Sequence, residues 1–382
     1  MSYQVIVVGV GSIGAATCWR LARKGIRVLG LEQGALPNPL ASFAGATRAI
    51  RLSYTEHPDY VPLLRGAYRL WDELGEETGD QFLVRTGAVY LGKKEGYMVG
   101  GALRAAVEHG LEHELLTSEE LAKRWPQFQI AEEDVGLFEK EAGYVLSEKA
   151  VGAMVHRALL AGAELKGHVA VTNWQPDEDG IVVKTDQGDF RADRVVFAAG
   201  AWSGKILGDL QTPLKVTRQV LGWTWPECPL DFTAEKFPVW VADAGGGAVH
   251  YGFPLTPDGS GGVGLKSARH FPAMEVDPYH VARDASAGDE EEVRNGLRRF
   301  VPSGDGPLLS LRVCLYTNTP DGHFIVDQHP DCARAIIACG FSGHGFKFAP
   351  VMGEVLANLA TEGKTDWPIG FLGLSRFAKS RT

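Results

Sequence analysis

The chain has few cysteines and none in a useful pattern. Cys18, Cys228, Cys314, Cys332 and Cys339 are odd in number and never spaced C-x-x-C, which argues against a disulfide framework or a zinc site. That usage predicts a reducing, cytoplasmic setting and no metal. No run approaches the roughly 18 consecutive apolar residues of a membrane span. A strand pattern begins within four residues of Met1, which predicts no signal peptide. No basic patch interleaved with aromatics occurs and the net charge is −9, so nucleic acid is not an expected partner. The acids are dispersed except for Asp289-Glu290-Glu291-Glu292, a solvated loop or helix start. No internal repeat is visible. With 45% hydrophobic and 22% charged residues the composition is ordinary for a globular protein, and 382 residues predict two domains.

What the chain does have is an informative first turn. Val5-Ile6-Val7-Val8 runs into Gly9-Val10-Gly11-Ser12-Ile13-Gly14, and a helix-compatible stretch follows to Lys24. A second apolar run, Val28-Leu29-Gly30-Leu31, ends on Glu32, 18 residues past Gly14. Strand, G-x-G-x-x-G turn, helix, strand and acid in that order form a dinucleotide-binding fingerprint. Gly9 permits the tight turn, Gly11 the approach of a pyrophosphate, and Gly14 close packing of the helix. Ser12 and Ile13 open that helix, whose free N–H groups suit phosphates, and Cys18 inside it reads as a small core residue. Glu32, followed by Gln33, can accept from a ribose hydroxyl. The turn itself fits NAD and FAD equally.

Residues 33–46 read as a loop, leading to Thr47-Arg48-Ala49-Ile50-Arg51. If that stretch is a helical turn, Arg48 and Arg51 share a face, either facing an anion or as a surface pair. Helices are predicted over 60–78, 96–109, 120–124 (capped from Thr117-Ser118) and 147–163 (capped by Ser147), with strands at 84–92 and 143–146. Short strands near 169–171, 181–183 and Phe190 form a meander. Residues 194–202 are a buried strand ending Ala198-Ala199-Gly200-Ala201-Trp202, a small-residue end that favours FAD over NAD. Residues 214–311 alternate strand-like runs with Pro/Gly turns and end in a helix over 290–300. The last third holds strands at 323–327 and 335–339, a glycine-rich turn at 340–347, and a helix over 349–361.

Together these residues resemble the monomeric sarcosine oxidase and N-methyltryptophan oxidase family, FAD amine oxidases of the D-amino-acid-oxidase-like superfamily. The likeness spans nearly the whole chain. It is carried by the fingerprint, Thr47-Arg48-x-x-Arg51, Tyr60-Val61-Pro62-Leu63, Gly200-Ala201-Trp202, Tyr251-Gly252-Phe253-Pro254, Gly264-Leu265-Lys266, Cys314-x-Tyr316-Thr317 and Gly340-Phe341-Ser342-Gly343-His344-Gly345-Phe346-Lys347-Phe348.

The resemblance implies an α/β fold in two parts. A discontinuous Rossmann-like FAD-binding domain would take 1–83, 144–213 and 314–382. An α+β substrate domain built on an antiparallel sheet would take 84–143 and 214–313. FAD would be covalently held by Cys314, with contacts at Ser42, Thr47, Arg48, Val171, Ala199, Gly200, Trp202, Tyr316, Gly343, His344, Gly345, Phe346 and Lys347. Arg51 and Lys347 would bind a substrate carboxylate, with Tyr251 and His270 lining the substrate cavity. Lys266 would activate O2, and Arg48 would support negative charge on the flavin ring. Read as residues alone, Cys314 is a small buried hydrophobe, and the Gly-His-Gly-Phe-Lys-Phe setting favours a partnered Lys347 over the alternative of a surface lysine.

The implied reaction is oxidation of a secondary amine carrying a carboxylate, such as an N-methyl amino acid, to an imine that hydrolyses, with H2O2 formed from O2. The alternatives are a cyclic or larger N-substituted substrate, a dehydrogenase with another acceptor, or a flavin-binding assembly subunit. A monomer or weak homo-oligomer is expected. Two departures stand out. The family pattern Ser-His-His-Gly-Asp reads Ser42-Phe43-Ala44-Gly45-Ala46 here, which removes two imidazoles and a carboxylate and bears on flavin tuning and on the extent of covalent attachment. The stretch 240–247, matching a variable cavity wall, holds Trp240 and three consecutive glycines.

Overall fold

The computed structural model describes residues 2–208, 210, 212–256, 262–271 and 273–377. β1 (Tyr3–Val8), α1 (Ser12–Arg23) and β2 (Val28–Leu31) form the predicted unit, with β1 and β2 parallel from Val5↔Val28 to Val8↔Leu31. Gly9 has φ +88°, and a Cβ on it would lie 2.6 Å from the Ala198 carbonyl oxygen. A Cβ on Gly14 would lie 1.8 Å from the Gly9 oxygen, so only glycine lets the helix start this close to the turn.

β1 also pairs in parallel with Gly188–Phe197, which in turn pairs in parallel with Cys332–Cys339. β2 pairs in parallel with Glu164–Lys166. Val171–Pro176 and Ile181–Thr185 add the antiparallel meander, and Ile325–His329 turns back along Cys332–Cys339, giving an 8-stranded sheet. Segments remote in sequence therefore share one sheet. α1, Ser147–Leu160 and Ala349–Glu362 share a hydrophobic core with it. This is the discontinuous Rossmann-like architecture expected from the sequence.

Next along the chain come β3 (Thr47–Ile50), α2 (Val61–Thr78), β4 (Leu83–Arg85) and β5 (Ala88–Gly92). β3 is a strand, not a helical turn. It pairs antiparallel with Gly143–Leu146, which takes β4 on its other edge. Arg51 lies just past the end of β3, so the shared helical face expected for Arg48 and Arg51 does not form. The single strand expected over 84–92 is broken at Gly87 (φ +73°), where a Cβ would meet the Phe138 ring at 2.4 Å. That bend sends β4 and β5 into different sheets.

β5 joins a 9-stranded sheet with Val239–Gly245, Ala248–Phe253, Leu265–Phe271 and Lys215–Thr224, and Leu308–Asn318 pairs with the last of these. The sheet is mixed rather than antiparallel, because β5 runs parallel to Val239–Gly245. Trp240 is fully buried there beside Phe300, so it belongs to the core and not to a cavity wall.

Ser147 is not a cap. It is the first residue of Ser147–Leu160, and its hydroxyl donates to Glu148 at 2.6 Å. Thr117 and Glu120 do form a capping box on Ser118–Arg124. The acidic run opens Ala287–Phe300, where Ser286 and Asp289 form another. Among the described residues all five cysteines are free, and no helix is long and apolar enough to cross a membrane.

Candidate active site

A cavity of about 450 Å³ opens where β1 meets α1. The first turn of α1 carries no acid and Gly11 provides no side-chain cap, which leaves N–H groups and the positive helix end for an anion. A Cβ on Gly11 would meet no protein atom within 4 Å, so its absence enlarges the cavity rather than relieving the fold. Glu32 is buried and accepts from the backbone N–H of Val10 and Gly34 and from Asn38 Nδ2, each at 3.0 Å. A carboxylate has about four acceptor sites, so one is left for a ligand hydroxyl. Trp202 Nε1 is buried without a partner among the described residues, in a side chain that lines the cavity. An unpaired donor, a bare helix start and a partly free carboxylate fit a dinucleotide.

Gly9, Gly11, Ser12, Ile13, Glu32, Gln33, Ser42, Arg48, Val171, Ala199, Gly200, Trp202, Tyr316, Gly343, Gly345 and Phe346 all line this cavity. Gly14, Thr47, Cys314, His344 and Lys347 do not. Gly14 acts through packing, and the other four lie among the chemical groups that follow.

Lys266, on Leu265–Phe271, is buried. Its Nζ donates to the Gly45 carbonyl at 2.7 Å, the Thr47 carbonyl at 2.6 Å and Thr47 Oγ1 at 3.2 Å. Burial pulls its pKa well below the ordinary lysine value and Arg48 acts in the same sense, while Glu148 opposes. Three oxygen acceptors nevertheless match the three N–H donors of an ammonium. Arg48 donates to the carbonyls of Thr47, Ser42 and Ala44 at 2.8, 3.0 and 2.5 Å, bracing the loop that carries Phe43 and Ala44. Cys314 is buried on Leu308–Asn318. Burial raises its thiol pKa, opposed by Arg48, Lys266, Arg283 and Arg312.

Arg51 and Lys347 gather around Tyr54. The guanidinium lies 4.6 Å from the Tyr54 ring centre and the Lys347 ammonium 5.1 Å from it. Arg51 also pairs with Glu56. Lys347 donates to the His344 carbonyl at 2.8 Å, and its pKa falls to about 7 through burial and the neighbouring Arg51, with Glu56 opposing. His344 has Nδ1 2.7 Å from Tyr54 Oη and Nε2 3.0 Å from the Gly322 carbonyl, an arrangement that assigns the proton to Nε2. Its pKa of about 4, set by burial, keeps the ring neutral.

His270 joins the two groups. Its Nδ1 is 3.3 Å from Tyr316 Oη, and its ring is 6.0 Å from that of Tyr251. Burial brings its pKa to about 3 and raises those of Tyr251 and Tyr316.

The structure adds groups that sequence reading missed. Tyr54 and Glu56 follow Arg51 closely, and an acid five residues from an arginine was an available signal. Asn38 and Tyr279 on the cavity wall, and Glu139 and Glu148 behind β3, carry no local signal at all.

The family model for FAD dependent oxidoreductases (DAO) matches residues 4–359. The monomeric sarcosine oxidase of Streptomyces avermitilis is 37% identical over 381 residues, covering 99% of this chain and 98% of that protein. The N-methyl-L-tryptophan oxidase of Salmonella heidelberg is 32% identical, covering 99% of this chain and 100% of the relative. Among solved structures, NikD, an unusual amino acid oxidase essential for nikkomycin biosynthesis, superposes with a TM-score of 0.84 at 26% identity, covering 97% of each chain.

Proposed function

The chain belongs to the FAD dependent oxidoreductase family, and from that premise we propose that it oxidises a secondary amine bearing a carboxylate, an N-methyl amino acid being the simplest case. Bound FAD supplies two-electron oxidation of a CH–NH bond to an imine, which hydrolyses, and O2 is the final acceptor, giving H2O2.

The observation that carries this reading is the pair of buried basic side chains, Arg51 and Lys347, 4.6 and 5.1 Å from the centre of one tyrosine ring. Two such groups hold a carboxylate by charge-assisted hydrogen bonds and so fix the attached carbon. His270 and Tyr251, whose rings are 6.0 Å apart, would bound the space on the amine side. A neutral His270 leaves the amine uncharged company, which suits oxidation of the free base. Lys266, held by the carbonyls of Gly45 and Thr47, would offer positive charge to oxygen as it is reduced. Arg48 would balance negative charge on the reduced ring.

Cys314 would hold FAD covalently, with Arg48, Lys266, Arg283 and Arg312 partly offsetting the burial that disfavours its thiolate. The division into 1–83, 144–213 and 314–382 for FAD and 84–143 and 214–313 for substrate is part of this proposal. So is a cytoplasmic location, supported by the free cysteines.

The test is a panel of N-methyl, cyclic and larger N-substituted amino acids, read by H2O2 release in air and by flavin bleaching without it. Bleaching with H2O2 by an N-methyl amino acid is expected. Bleaching without H2O2 would make the protein a dehydrogenase, and no bleaching across the panel would remove the enzymatic reading.

A further inference from the structure

β3 carries Arg48 and leads into Arg51, and both of its flanks are gripped from behind in the same way. On the N-terminal flank, the Glu148 carboxylate accepts from the backbone N–H of Gly45 through one oxygen and of Ala46 through the other, each at 2.8 Å. On the C-terminal flank, the Glu139 carboxylate accepts from Leu52 N–H at 2.7 Å and from Ser53 N–H at 2.8 Å, again one oxygen each. Between these grips β3 pairs with Gly143–Leu146 over four residue pairs, Thr47↔Leu146 to Ile50↔Gly143. Glu139 lies just before that partner strand and Glu148 just after it. One short segment therefore holds the strand along its length and at both ends.

Each grip leads to a chemical group. At the Glu148 end, the Gly45 carbonyl accepts from Lys266 at 2.7 Å, and Ala46 stands at φ +67°, a conformation that an alanine seldom adopts without support. Ser147 Oγ and Arg312 Nη1 donate to Glu148 at 2.6 and 2.9 Å, which fixes the carboxylate's orientation. At the Glu139 end, Leu52 and Ser53 directly follow Arg51, and Tyr90 Oη donates to the Ser53 carbonyl at 2.8 Å and lies 3.3 Å from Glu139. Glu139 is itself 2% exposed. A buried carboxylate spanning two consecutive backbone N–H groups restrains the local backbone, and with it the side chain beside it.

We propose that Glu139 and Glu148 are positioning residues forming a two-ended clamp on β3, with Glu139 setting Arg51 for the substrate carboxylate and Glu148 setting Lys266 for oxygen. The roles of Arg51 and Lys266 rest on the function proposed above. The clamp itself does not, and the test separates them.

Glu139→Gln and Glu148→Gln each turn one of the two acceptor oxygens into an NH2 donor facing an N–H. In the FAD-loaded protein, acetate affinity is read from perturbation of the flavin spectrum, and reoxidation by O2 is followed after chemical reduction. Glu139→Gln is expected to weaken acetate binding about tenfold and leave reoxidation within about twofold. Glu148→Gln is expected to do the reverse, with about tenfold slower reoxidation and unchanged acetate affinity. A merely structural role would move both readouts together, and that result overturns the clamp.

If a variant does not fold, amide hydrogen exchange in the unloaded wild-type chain decides the matter. The amides of Gly45, Ala46, Leu52 and Ser53 should exchange slowly without cofactor or substrate, and exchange as fast as in exposed loops overturns the proposal. If wild-type protein binds no acetate while these amides are protected, the substrate reading fails and the clamp stands.

Discussion

Arg51 and Glu56 are joined through a single guanidinium nitrogen, Nη2, which donates to the two carboxylate oxygens at 2.9 and 3.1 Å. Burial pushes the Glu56 carboxyl up, but Arg51, His344 and Lys347 outweigh it and bring the pKa to about 2. A substrate carboxylate must therefore share Arg51 with an acid already there. Glu56→Gln is expected to tighten acetate binding about tenfold, since one competing anion is gone. It should also destabilise the unloaded protein by about 3 kcal/mol by leaving a buried guanidinium without its counter-ion. Because the folded pKa lies below the unfolded value, the pair's stabilisation is full above about pH 4.5 and is lost as pH falls toward 2. The variant's Tm should be flatter than wild type across that window. Acetate affinity unchanged by Glu56→Gln would show that Arg51 does not reach the ligand.

Lys347 predicts a pH dependence of opposite sense. Burial and Arg51 bring its pKa to about 7, so the ammonium is present below that pH and lost above it. The dissociation constant of a carboxylate ligand is expected to rise as pH passes through 7, by up to about tenfold per unit where the lysine is deprotonated. A bound anion holds the proton and shifts the midpoint of the complex upward. Lys347→Met should bind weakly at every pH and show no inflection near 7. An inflection that survives the substitution would assign the titration to another group.

The dinucleotide turn was legible in the sequence because its geometry is local. Gly9, Gly11, Gly14 and Glu32 act through a turn and the strands beside it, and spacing alone places them. Lys266, Cys314 and Lys347 sit on segments that meet only through the sheets. Leu265–Phe271 and Leu308–Asn318 are both neighbours of Lys215–Thr224, a pairing that no short pattern announces. Family resemblance singled out these three, whereas the residues alone gave a core cysteine at position 314 and no role for either lysine. Thr47 to Arg51 misled because five residues cannot separate a period of 3.6 from one of 2. Glu56, Glu139 and Glu148 were invisible for another reason. A carboxylate bonded into the fold and a solvated one are the same letter, and only the fold tells them apart.

Cys314 is tested by acid precipitation. If the thiol is linked to the cofactor, yellow colour stays in the pellet of wild-type protein, and Cys314→Ala releases it to the supernatant. The substituted loop Phe43-Ala44 bears on the extent of linkage, because Arg48 holds that loop through the Ser42 and Ala44 carbonyls. A colourless wild-type pellet would remove the covalent assignment and leave the cofactor bound by the cavity alone.

Lys266→Met separates the two halves of turnover. Methionine fills a similar volume but donates nothing to Gly45 and Thr47 and carries no charge. Reoxidation by O2 should slow by about a hundredfold or more, since a preorganised charge beside the reacting atoms contributes about 3 kcal/mol. Anaerobic reduction by substrate should change far less, because Arg51 and Lys347 are untouched. Stopped-flow measurement of each half-reaction distinguishes this from equal slowing of both, which would make Lys266 a structural residue.

The glycine turn allows packing and ligand contact to be tested apart. An alanine Cβ at position 14 would lie 1.8 Å from the Gly9 oxygen, so α1 would have to move away from the turn. Its other side is packed against Ala349–Glu362, where Gly353 already brings the helices close, with a Cβ there only 2.7 Å from Ala16. Gly14→Ala is therefore expected to cost about 3 kcal/mol in the unloaded protein, at the upper end for overpacking, and to weaken FAD binding as a consequence. Gly11 is the counter-case. It has φ −74° and no protein atom within 4 Å of its would-be Cβ, but it lines the cavity. Gly11→Ala should leave the Tm of the unloaded chain nearly unchanged and still weaken FAD binding, by about tenfold or more, because the methyl stands where the pyrophosphate approaches. Thermal unfolding without FAD and a fluorescence-quenching titration with it give both numbers. Equal loss of Tm in the two variants would mean that Gly11 serves the fold rather than the ligand.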